Sequence, residues 1–225
     1  VIILDFTAIN AETPEVLKSS LKQFVQDCAR GFGVKVEKER NFKDAFVKLI
    51  KELSANGRVT VLIDEYDKPI IDFVEKKTTA LENRAILRNF YSALKGLDKY
   101  LEFVFITGVS KFSKVSIFSD LNNLNDITMD EKYSAMLGYT QEELETYFQS
   151  HIRLLSEKTG IPETGILEKL EWHYNGYRFS KRDVRIYNPF SVISALKQMD
   201  FKNYWFETGT PTFLVNLLKE NGWYL

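Results

Sequence analysis

Three short apolar runs punctuate the first half of the chain: Val1–Leu4, Val59–Ile63 and Phe103–Ile106. Each is continuous rather than alternating, the pattern of parallel strands covered on both faces. Between them, apolar residues recur at helical spacing. Leu17, Leu21, Phe24, Val25 and Cys28 make one stripe behind Thr13-Pro14, a capping residue followed by the helix position that tolerates proline. Phe42, Ala45, Phe46, Leu49, Ile50 and Leu53 make a second, opened by Asn41 and stopped by Gly57. Ile86, Leu87, Phe90, Tyr91, Leu94 and Leu97 make a third, just ahead of the Phe103 run. Strands alternating with helices predict βαβ crossovers and a parallel sheet.

After residue 130 the texture changes. Thr140-Gln-Glu-Glu143 has the form of a capping box and opens a helix carrying Leu144, Tyr147, Phe148 and Leu155. Ile166, Leu167 and Leu170 suggest another. Asn188-Pro189 opens one carrying Val192, Ile193 and Leu196, and Thr210-Pro211 one carrying Phe213, Leu214, Leu217 and Leu218. The expected organisation is an α/β domain over residues 1–135 and a mostly helical subdomain over 136–225, with the boundary near 132–140.

Composition narrows the function classes. Thirty Lys and Arg against 31 Asp and Glu leave a net charge of −1, which argues against nucleic-acid binding by bulk charge without excluding a local basic patch. Eleven glycines and five prolines in 225 residues fall below the roughly 12% of average usage and favour long regular elements. The single cysteine, Cys28, excludes an internal disulfide, and two histidines, His151 and His173, leave little for a histidine-built zinc centre. No apolar run reaches the ~18 residues of a membrane span. The expectation is a soluble, cytoplasmic protein that does not enter a membrane. The chain opens inside a strand-like run, without methionine or leader, which predicts a piece of something longer.

The candidate chemistry sits at strand ends. Val61-Leu-Ile-Asp64-Glu65 is a buried-strand pattern ending in two acids. In open α/β sheets the carboxyl ends of the strands are where ligands bind. Adjacent acids at such a tip have the form of a Walker B motif, in which Asp64 holds a hydrated Mg²⁺ and Glu65 orients or deprotonates the attacking water. Metal positioning and water activation are separate tasks within a few ångströms, hence two neighbouring carboxylates. The plainer alternative has Asp64 capping the turn Glu65-Tyr-Asp-Lys-Pro69 and Glu65 solvated. The next apolar run, Phe103–Ile106, ends in Thr107-Gly108-Val109-Ser110. A small polar residue there matches the sensor position of such nucleotidases, where a hydroxyl touches the terminal phosphate or the attacking water; turn geometry alone would also use Thr and Gly. A G-x-x-x-x-G-K-[ST] phosphate loop does not occur anywhere in the sequence.

These stretches resemble the bacterial AAA-ATPase-like proteins, a P-loop group near the archaeal-type and STAND ATPases. The resemblance runs through Leu4-Asp5-Phe6, Val61–Pro69, Phe105–Ser113, Asn122–Thr128, Gly138–Leu144, Tyr174–Phe179, Tyr187–Ser191 and Tyr204–Pro211. It implies a P-loop NTPase-like (ASCE-type) parallel sheet flanked by helices, with ATP and Mg²⁺ as cofactors of the full-length protein, Asp64 and Glu65 as its Walker B acids, and Thr107 at the sensor position. Ser110, beside it, is a further candidate for nucleotide contact. Arg178, in Tyr174-Asn-Gly-Tyr-Arg-Phe179, is another, with an exposed or salt-bridged role as its alternative. In the sheet order 5-1-4-3-2 of this class, Val1–Phe6 becomes strand 2, Val59–Ile63 strand 3 and Phe103–Ile106 strand 4, with a possible fifth strand near Asp126–Met129. Strand 1, which carries the phosphate loop, is not among these stretches, so strand 4 is expected to present an edge that another segment, a partner chain, a second copy or residues outside this sequence cover.

The leading expectation is therefore part of an ATPase, inactive by itself. Its competitors are a catalytically silent interaction module on the same fold and a metal-dependent nuclease using Asp64, Glu65 and Asp67. The basic residues Arg178, Lys181, Arg182 and Arg185, and separately Lys111 and Lys114, are candidates for touching nucleic acid, with a solvated face as the alternative.

Overall fold

The computed structural model describes residues 1–109, 117, 118, 121 and 123–205. They divide into two compact units between Leu124 and Asn125, ahead of the change in sequence texture.

The first unit is built on β1 (Ile2–Asp5), α1 (Pro14–Gly31), α2 (Phe42–Leu53), β2 (Val59–Asp64), α3 (Lys68–Ile71), α4 (Lys77–Tyr91) and β3 (Leu101–Ile106). The three strands form a parallel sheet in the order β1-β2-β3, with Ile2 beside Val61, Asp5 beside Asp64 and Ile63 beside Ile106. This order is compatible with strands 2, 3 and 4 of a P-loop-like sheet.

Helices α1 and α2 begin where their capping residues stand. The Thr13 hydroxyl accepts the Val16 amide ahead of Pro14, and the Asn41 side chain accepts the Asp44 amide. Each such cap contributes about 1 kcal/mol. Helix α1 buries Leu17, Leu21, Val25 and Ala29, four residues apart and so on one face; α2 buries Phe42, Ala45, Phe46, Leu49 and Ile50. Helix α4 starts earlier than its apolar stripe, at Lys77, and Leu94 falls in the 3₁₀ turn that follows it. These faces join Ile2, Leu4, Val59, Val61 and Ile63 in one core. Its centre is aromatic: Phe90 stacks on Phe46 at 5.0 Å, and Phe6 meets Phe90 edge-on at 6.4 Å. Complete burial of such a side chain contributes about 1.5–3 kcal/mol.

Two expectations are corrected here. The apolar runs predict strands covered on both faces, yet β1 alternates buried and exposed, with Ile3 61% accessible, and Phe103 in β3 is 54% accessible. Packing within the described residues covers the Ile2, Leu4, Val61 and Ile63 side of the sheet. The fifth strand anticipated near Asp126–Met129 is not a strand. The Asp126 carboxylate accepts the Thr128 amide at 3.1 Å and the Ile127 carbonyl accepts the Asp130 amide, so local turn bonding takes the groups a ladder would need.

The second unit contains α5 (Gln141–Tyr147), α6 (Gln149–Thr159), α7 (Glu163–Tyr174) and α8 (Pro189–Gln198). The capping box forms as the sequence predicts, the Thr140 hydroxyl and the Glu143 carboxylate each accepting the other's backbone amide. Gly160 ends α6 in the left-handed conformation at φ 69°. Leu144, Ile152, Leu155, Ile166, Leu170, Tyr187, Val192 and Leu196 form a separate core. The helix anticipated behind Thr210-Pro211 lies outside the described residues. Among the described residues no helix is long and apolar enough to cross a membrane.

Candidate functional site at the carboxyl ends of the strands

Three parallel strands end side by side, and each delivers a polar side chain to the same edge. Asp5 closes β1, Asp64 closes β2, and Thr107 directly follows β3. Pairing continues past the strands: the Thr107 amide donates to the Ile63 carbonyl at 2.8 Å and the Tyr66 amide to the Thr107 carbonyl at 3.0 Å. That register brings the Thr107 hydroxyl onto Asp64, whose Oδ1 accepts its proton and also accepts the Glu65 amide at 3.0 Å. The two sites singled out from separate strands are thus one site. Asp64 is exposed and Glu65 half-buried.

Glu65 is held in an uncommon backbone state, with φ at 50°. The left-handed turn lets its carbonyl accept the Lys68 amide at 3.0 Å and starts α3 directly behind the acids. Burial pushes the Glu65 carboxyl above its usual range; Lys68 opposes this, while Asp64, Asp5 and Asp67 add to it. A carboxyl with a raised affinity for protons is what a general base requires, because its pKa then approaches the working pH. Asp5 differs: the Thr7 hydroxyl and amide donate to it at 2.6 and 2.9 Å and hold its carboxyl below the usual range.

Behind the acids the turn is locked. Asp67 is fully buried, and its Oδ1 accepts the Val109 amide at 3.2 Å. Gly108 lies against this turn: a β-carbon there would fall 2.4 Å from the Tyr66 ring and 2.6 Å from Asp67 Oδ1, so only glycine fits. The buried Tyr91 hydroxyl donates to the Tyr66 carbonyl at 3.0 Å, and burial carries its pKa well above the ordinary range. Asn83, also buried, donates to the carbonyls of Ala11 and Pro69 and so ties α3 to the loop ahead of α1, leaving its own Oδ1 without a partner among the described residues.

Magnesium keeps most of its waters and needs only one or two carboxylates alongside substrate phosphates. The exposed Asp64, with its orienting hydroxyl, fits that requirement. Among the described residues no three His, Cys, Asp or Glu side chains are arranged to hold a metal by themselves. Ser110, Lys111 and Lys114 lie outside the described residues. Arg178 belongs to the second unit, where its guanidinium approaches Asp183 at 3.9 Å. Two of its basic neighbours are also paired, Arg182 with Glu131 at 2.7 Å and Arg185 with Asp183 at 3.0 Å. His173 stands 5.5 Å from the Phe201 ring, and His151 6.3 Å from that of Phe148.

Asp5, Asp67, Asn83 and Gly108 carry the site's frame; the sequence reading names Asp67 only as a nuclease ligand and Gly108 only as turn geometry, and gives Asp5 and Asn83 no role in the site. For Asp5 a signal existed: an acid closing an apolar run, as at Asp64. For Asn83 and Gly108 no local signal distinguishes them from an ordinary helix residue and an ordinary turn glycine.

Residues 1–118 match the family described as predicted AAA-ATPase, AAA-ATPase-like. The chain belongs to that family. An uncharacterized protein in the vnfD 5′ region of Azotobacter chroococcum mcd 1 is 44% identical to it over 184 residues, which cover 81% of this chain and 33% of that protein. The chain therefore spans about a third of the length of its curated relative. No solved structure matches it.

Proposed function

We propose that the chain is the acid-bearing part of an ATPase, with β2 as its Walker B strand and Mg-ATP hydrolysis as the activity of the full-length protein. The observation that carries this reading is the meeting of Asp64, Glu65 and Thr107 at adjacent strand ends, with the Thr107 hydroxyl donating to Asp64. Asp64 would hold the magnesium, whose charge would offset that of the phosphates. Glu65 receives the proton of the attacking water, and its raised proton affinity suits that task. Thr107 aims Asp64 and stands where a terminal phosphate is sensed. The phosphate-cradling loop, for which this sequence has no motif, comes from elsewhere in the full-length protein, and this chain alone does not hydrolyse ATP. The strand bearing that loop pairs with the outer edge of β3, which no described strand occupies. A nuclease using Asp67 as a third metal ligand is less well supported, because that carboxylate is buried and engaged by Val109.

The test is the full-length protein carrying Glu65→Gln. It should bind ATP as the wild type does and hydrolyse it on the order of a hundredfold or more slowly, the scale of lost general-base catalysis. Unchanged hydrolysis would remove Glu65 from the mechanism.

A further inference from the structure

We propose that Asp67 is a positioning residue: by accepting the Val109 amide, its buried carboxylate holds the segment Thr107–Val109 so that the Thr107 hydroxyl stays on Asp64. The inference deepens the ATPase reading and rests on it.

Four features converge on this assignment. Asp67 is fully buried, an expensive place for a carboxylate and one that residues kept only for solubility avoid. It lies three residues after Asp64 in sequence, yet its hydrogen bond reaches across to the loop after β3. Gly108 has no room for a β-carbon against Tyr66 and Asp67, so the segment is pressed directly onto the turn. Thr107 is already tied through its amide and carbonyl to Ile63 and Tyr66. The Val109 bond fixes the far end of the same short segment. With both ends fixed, the Thr107 backbone is held where its hydroxyl meets Asp64. With the Val109 end released, the backbone beyond Thr107 pivots about its remaining ties and the hydroxyl leaves the acid. Val109 itself is 68% exposed, so its amide rather than its side chain makes the connection.

The experiment measures steady-state hydrolysis of Mg-ATP by the full-length protein with Asp67→Ala, Asp67→Asn and, as a reference, Glu65→Gln. Asp67→Ala should lower kcat on the order of tenfold or more, since small misplacements of positioned groups are that costly. Its KM for Mg-ATP should stay within about twofold, the mark of an interaction used in turnover and not in binding. Asp67→Asn keeps an oxygen acceptor for the amide and should recover most of the rate. If Asp67→Ala does not fold, judged by circular dichroism, Val109→Pro deletes the same bond from the donor side and should show the same loss of kcat. The inference is overturned if Asp67→Ala or Val109→Pro turns over like the wild type, if KM rises along with the fall in kcat, or if Asp67→Asn is as slow as the alanine variant. The ATPase reading fails separately, and takes this inference with it, if the wild-type protein hydrolyses no ATP or if Glu65→Gln hydrolyses it unchanged.

Discussion

Glu65 offers a direct measure of what the site costs the fold. Its φ of 50° places a residue with a β-carbon in the left-handed region, where that carbon crowds the following carbonyl. The strain amounts to roughly 1–2 kcal/mol for an L-residue. Glu65→Gly removes it, but glycine also gains about 0.4–1 kcal/mol of unfolded-state freedom that folding must overcome. The net expectation is a gain of roughly 0.5–1 kcal/mol over Glu65→Ala. Both variants lose the carboxylate, so the comparison isolates the β-carbon from the repulsion of Asp5, Asp64 and Asp67. Urea unfolding of this chain, followed by circular dichroism, should show the glycine variant with the higher midpoint and an unchanged slope. Thermal midpoints should separate in the same sense, by roughly 2–4 °C per kcal/mol for a chain of this size. The same glycine variant in the full-length protein should be as slow in hydrolysis as Glu65→Gln, stability and activity moving in opposite directions. An alanine variant as stable as the glycine variant, or more so, would falsify the claim that this turn is strained.

Two further predictions concern stability. Tyr91→Phe deletes the buried hydroxyl that donates to the Tyr66 carbonyl and should cost about 1–2 kcal/mol, read as a lower urea midpoint; an unchanged midpoint would mean the bond contributes nothing net. For pH, the raised Glu65 pKa means that the folded state holds this proton to a higher pH than the unfolded chain does. Its contribution is therefore complete below the unfolded pKa and is lost as pH rises through the folded one. Over that window just above the ordinary glutamate range, the stability of Glu65→Gln should fall less with rising pH than that of the wild type; parallel pH curves would contradict the sign assigned here.

The elements of this protein are legible in its sequence because the signals that specify them are local. Pro14 behind Thr13, Asn41 ahead of Phe42 and the Thr140–Glu143 box act within a single turn of helix, and each forms where the spacing places it. The same holds for the acid pair at the end of an apolar run: the run ends where the acids begin, and Asp64 closes β2. What local signals misjudged was coverage. A continuous apolar run reads as a strand buried on both faces, but Ile3 and Phe103 are exposed, because burial depends on which other segments arrive and not on the strand's own residues.

The tertiary structure alone decided how the pieces meet. Asp5 stands beside Asp64 because register joins strands separated by two helices. The Thr107 hydroxyl reaches Asp64, and the Val109 amide reaches Asp67, across more than forty residues of chain. Gly108 is required only because a tyrosine ring and a carboxylate lie beneath it. Periodicity and capping are set by neighbours a few residues away and can be read along the chain; cross-strand register, close approach and the strain at Glu65 are set by distant segments that only the folded molecule brings together.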